Sequence, residues 1–155
     1  MSPRTTDYIN KKSPNYIERS PYMGKTGSNI DGTHASHRFS VGLANVISTN
    51  HEDLLLSKDE KIVISEELNN KKNLRIKLAS TNLNDDEEND GKIAKCICKG
   101  GSLSTDSEKR RLAQAMEGAK TLTNKIFIGV LEKVRIYDEE TKGYKTAKKF
   151  FLSAK

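Results

Sequence analysis

The chain has 155 residues, 34% hydrophobic and 31% charged, and its 27 Lys and Arg against 21 Asp and Glu leave a net charge of +6. That length suits one domain with room for an arm and excludes two full domains. No stretch approaches the ~18 apolar residues of a membrane span, and the polar N-terminus lacks the apolar segment of a secretory signal. The sequence therefore predicts a protein that is neither membrane-bound nor Sec-exported, in the cytoplasm or another reducing compartment. Its two cysteines, Cys96 and Cys98, are too sparse for a disulfide scaffold and supply half the thiols of a four-cysteine zinc site. Neither a cofactor nor a metal is expected.

Residues 1–37 are mostly Ser, Pro, Thr, Asn, Gly and charges, and Ile9, Ile17, Met23 and Ile30 follow no helical or strand period. Such a composition does not repay the entropy of ordering, which predicts a flexible basic arm. Ser-Pro recurs at Ser2-Pro3, Ser13-Pro14 and Ser20-Pro21, interleaved with Tyr8, Tyr16 and Tyr22 and with Arg4, Lys11, Lys12, Arg19 and Lys25. An extended arm of this kind can lie along a nucleic-acid backbone or dock on a protein partner, neighbouring subunits included.

The body, residues 38–155, opens with Phe39, Val41, Leu43 and Ile47 at odd positions, the spacing of a strand. A Thr49-x-x-Glu52 capping box ahead of Leu54-Leu55-Leu56 predicts a short helical turn. Ile62 and Ile64, then Leu74, Ile76 and Leu78, alternate with polar residues on either side of Asn69 to Asn73, which reads as a hairpin. Asp85, Asp86, Glu87, Glu88 and Asp90 make an acidic, solvated loop. A third strand is predicted over Gly91 to Lys99, with Cys96 and Cys98 on the face of Ala94, and Gly100-Gly101 ends it. Thr105-x-x-Glu108 then opens a helix near 105–120, in which Leu112, Ala115, Met116, Ala119 and Leu122 hold 3.6-residue spacing. Ile126 to Tyr137 and Tyr144 to Leu152 read as a closing hairpin. The predicted fold is α+β and mostly antiparallel: a small partly open barrel or curved sheet, in an order like that of an oligonucleotide-binding fold, with one covering helix and a disordered N-terminal arm. The likeness is of element order alone and licenses no function.

The closing hairpin is where the sequence is most informative about function. With Tyr137 opposite Tyr144, Arg135 faces Thr146 and Lys133 faces Lys148, a basic and aromatic surface of the sort that holds phosphates and stacks bases. Residues 1–90 carry 12 Lys and Arg against 14 Asp and Glu, and residues 91–155 carry 15 against 7, so Arg110 and Arg111 on the helix can extend that surface. The catalytic candidates are His34, His37 and Arg38 in Thr33-His34-Ala35-Ser36-His37-Arg38, where two imidazoles and a guanidinium have the chemistry of metal-free phosphodiester cleavage. The leading expectation is a non-enzymatic nucleic-acid-binding protein, single-stranded DNA or RNA favoured. The alternative is a structural or assembly protein, such as a coat component, whose arm contacts neighbouring subunits in a homo-oligomer, and the third reading is a small nuclease or toxin domain.

Overall fold

The structure, a computed structural model, describes residues 3–19, 33–51, 54–78, 87–133 and 137–138, with the backbone alone at 33–35, 76–78 and 137–138. Five α-helices dominate these residues: α1 (Val41–Thr49), α2 (Lys58–Leu68), α3 (Glu87–Lys99), α4 (Asp106–Ala119) and α5 (Lys125–Lys133). Sheet among the described residues is confined to an antiparallel pair, β1 (Thr33–His37) with β2 (Leu74–Leu78), and a two-residue parallel pair, β3 (Ser102–Leu103) with β4 (Tyr137–Asp138). The expected antiparallel barrel or curved sheet with one covering helix is thus overturned. No helix among the described residues is long and apolar enough to cross a membrane.

Four predicted strands are helices, and in three of them the local reason is plain. In α1, Ala44 and Val46 are buried along with the odd-numbered Val41, Leu43 and Ile47, and a short run that is apolar all round fits a central helix as well as a strand. Ser40 supplies the cap, its Oγ accepting the Leu43 N–H at 3.1 Å. In α2, Ile64 is buried while Ile62 is exposed, and the helix starts at a capping box of Ser57 and Glu60. In α5, Phe127, Val130 and Leu131 are buried at the i, i+3, i+4 spacing of a helix, and Asn124 Oδ1 accepts the Phe127 N–H at 2.9 Å. The predicted strand at 91–99 is α3, and the helix near 105–120 is α4, opening at the Thr105 and Glu108 capping box.

The disordered arm is also corrected for residues 3–19. Ile17 is fully buried in the core that holds Phe39, Leu43, Ile47, Leu54, Ile64 and Leu68. Asn45 of α1 accepts the Ile17 N–H at 2.7 Å and donates to the Ile17 carbonyl at 2.8 Å. Asn15 reaches the next segment, donating to the Leu54 carbonyl and accepting the Leu56 N–H at 3.0 Å. At the other end of the strap, the Pro3–Arg4 backbone crosses α3 at Gly91, where a Cβ would strike the Pro3 carbonyl. Glycine there permits the close approach.

A third asparagine closes the core. Asn73 accepts the Phe39 N–H at 2.8 Å and donates to the carbonyls of Phe39 and Leu68 at 3.0 and 2.7 Å. Gly118 of α4 lies against this bond, since a Cβ there would meet Asn73 Oδ1 and the Phe39 nitrogen. The Phe39 ring, held by these contacts, meets Phe127 of α5 edge-on at 6.5 Å.

Candidate functional site: a buried ion pair beneath a basic surface

Four elements meet at one buried ion pair. Arg111 of α4 grips Asp90 of α3 in a two-pronged ion pair, Nε to Oδ1 at 2.6 Å and Nη2 to Oδ2 at 3.1 Å. The side chains are 2% and 7% exposed. Ser40 Oγ donates to Asp90 Oδ2 at 2.9 Å, and Arg111 Nη2 donates to the His37 carbonyl at 3.2 Å. The end of β1, the start of α1, α3 and α4 are therefore tied at one buried point.

His37 is half-buried beside this node. Its Nε2 donates to Asn69 Oδ1 at 2.9 Å, which leaves Nδ1 as the acceptor of the neutral ring. Burial pulls the imidazole below its ordinary range and the Asn69 bond opposes this, while Arg19 and Arg111 add to the lowering. The folded protein consequently resists protonation near pH 6.5, where the unfolded chain takes up a proton, so stability is fully present above that value and falls as pH drops through it toward the folded pKa. Between about pH 7.5 and about pH 5.5 the melting temperature should fall more steeply in the wild type than in His37→Gln, which lacks the titrating ring. Equal slopes would show that His37 does not set this pH dependence.

The residues singled out from the sequence are thus distributed unevenly. His37 and Arg111 come together through the His37 carbonyl, the Arg38 N–H donates to the Asn73 carbonyl at 2.7 Å, and Arg110 is exposed on α4. Arg111, expected in a basic patch, is instead engaged by Asp90. His34 lies in β1 opposite Lys77, and its side chain is outside the described residues. Lys133 is exposed as the last residue of α5 instead of standing in a strand. Tyr137 runs parallel to Ser102 in β4, and Arg135, Tyr144 and Lys148 lie outside the described residues.

Asp90, Ser40 and Asn69 went unread. The acidic run makes Asp90 read as part of a solvated loop, although its spacing of three and four from Ile93 and Ala94 places it on the apolar side of a helix. The cysteines are no redox pair: on α3 two residues apart is about 200° of rotation, and burial pushes both thiols up, away from the thiolate a nucleophile requires.

The lysines of α3 all face outward. From Gly91 to Lys99 the exposed positions are Lys92, Lys95 and Lys99. Lys92 Nζ lies 3.7 Å from Glu108 Oε2. Burial pushes the Glu108 carboxyl up, but the amides of Ser104 and Thr105 that donate to it, with Lys92, bring it below the usual carboxylate range. Lys95, Lys99 and Arg110 have no such partner among the described residues. Comparison with protein-family models, curated proteins and solved structures found no match.

Proposed function

We propose that the protein binds an anionic polymer, nucleic acid in the first instance, and performs no chemistry on it. One observation carries this reading: Lys95, Lys99 and Arg110 remain exposed without ion-pair partners among the described residues, in the part of the chain where cations outnumber acids 15 to 7. Paired, they would be a solvated surface; left uncompensated, they raise the local concentration of an anion. Cleavage is the lesser reading, because it calls for two imidazoles, and of the pair only the side chain of His37 is among the described residues. Free Cys96 and Cys98 accord with a reducing compartment, the cytoplasm included.

The test is sizing chromatography of the full chain with and without a fluorescent oligonucleotide at low salt. Co-elution, lost linearly in log affinity against log salt, is the expected result. A large assembly free of nucleic acid would favour the structural alternative, and no co-elution at any salt would end the nucleic-acid reading.

A further inference from the structure

We propose that the outer face of α3 is the surface on which this polymer lies, Lys95 and Lys99 each neutralising a backbone phosphate; this rests on the nucleic-acid reading above. Burial divides the helix. Asp90, Gly91, Ile93, Ala94 and Cys96 face the core, which leaves Lys92, Lys95 and Lys99 within about 60° of one another on the solvent side and spread over about 10 Å of axis. Helix electrostatics account for part of this arrangement, since Glu87 and Glu88 in the first turn and Lys99 in the last complement the dipole. They do not account for Lys95, which lies mid-helix. Nor does an acid among the described residues claim it, in contrast to Lys92, which Glu108 engages.

The same face says what kind of recognition to expect. Between Gly91 and Lys99 no exposed position is aromatic, so base stacking has no platform there. Contacts confined to phosphate carry no sequence information. A lipid surface fits less well, because an interfacial helix needs large apolar residues beside its cations. The exposed large apolar side chains among the described residues are Leu55, Ile62, Val63 and Ile126, all on other elements.

The experiment measures affinity for fluorescent oligothymidylate and oligoadenylate over a range of salt, using the full chain and three variants. Lys95→Gln/Lys99→Gln should make the slope of log affinity against log salt shallower by about 1.4, two charges at roughly 0.7 each on a single strand. Lys95→Arg/Lys99→Arg should restore the slope. Lys58→Gln/Lys125→Gln, equal in charge change and exposed on α2 and α5, should leave it unchanged. If the α3 glutamines leave the slope intact while the wild type binds, or the α2 and α5 glutamines reduce it equally, the α3 surface is refuted and the binding function stands. Strong preference for one base would also refute a phosphate-only contact. Absence of wild-type binding refutes both readings.

Discussion

Replacing Arg111 with Met is expected to cost the fold about 3 to 5 kcal/mol, the usual penalty for leaving one member of a buried ion pair without its partner. Asp90 would lose both guanidinium bonds while keeping that of the Ser40 hydroxyl, in a site where its side chain is 7% exposed. The His37 carbonyl would lose its donor as well. Neutralising both members, in Asp90→Leu/Arg111→Met, should recover a large part of the loss, because a well-packed apolar pair avoids the desolvation of two charges. Denaturant midpoints at constant m-value measure the difference. A loss below about 0.5 kcal/mol in Arg111→Met, the range of an ordinary surface substitution, would show that the node does not hold α3 and α4 together.

The second large effect is expected at Ile17. Its truncation in Ile17→Ala should cost about 2 to 5 kcal/mol, as for other large-to-small changes in a packed core. Ile17 is 0% exposed and its own backbone groups are held by Asn45, so the site cannot collapse without loosening α1. The control is Ile62→Ala, whose side chain is 47% exposed and whose loss should fall within about 0.5 kcal/mol. Equal stabilities of the two variants would return residues 3–19 to the status of a loose arm.

These expectations rest on features that differ in how plainly the residues announce them. α4 was legible because a capping box and five apolar residues at helical spacing agree. β2 was legible from Leu74, Ile76 and Leu78, yet its partner is β1 from far upstream and not the neighbouring 62–64 run. In α3 the stretch Lys95-Cys96-Ile97-Cys98-Lys99 alternates like a strand, while Lys92, Lys95 and Lys99 with Ile93, Cys96 and Ile97 keep helical spacing over the longer segment. Two periods fit the same short apolar run, and only tertiary burial selects between them.

The strap was hidden for another reason. It docks through single anchors, Ile17 in the core and Asn15 and Asn45 gripping backbone, so no repeating face exists for a periodicity argument to find. Side-chain amides bonded to a distant main chain leave no local pattern. The candidate site shows the same division. His37, Arg38, Arg110 and Arg111 stood out as residue types, but whether a guanidinium meets solvent or a buried carboxylate depends on Asp90, 21 positions away. Lys95 and Lys99 share a solvent face with Lys92 only because 87–99 is a helix.

The strap and the helices should unfold as one cooperative body, and amide hydrogen exchange of the native protein tests this most directly. The Ile17 N–H, donated to buried Asn45, should exchange only through openings as costly as those that expose the Ala44 N–H inside α1. Exchange of Ile17 at the rate of a fraying terminus, with Ala44 still protected, would contradict it.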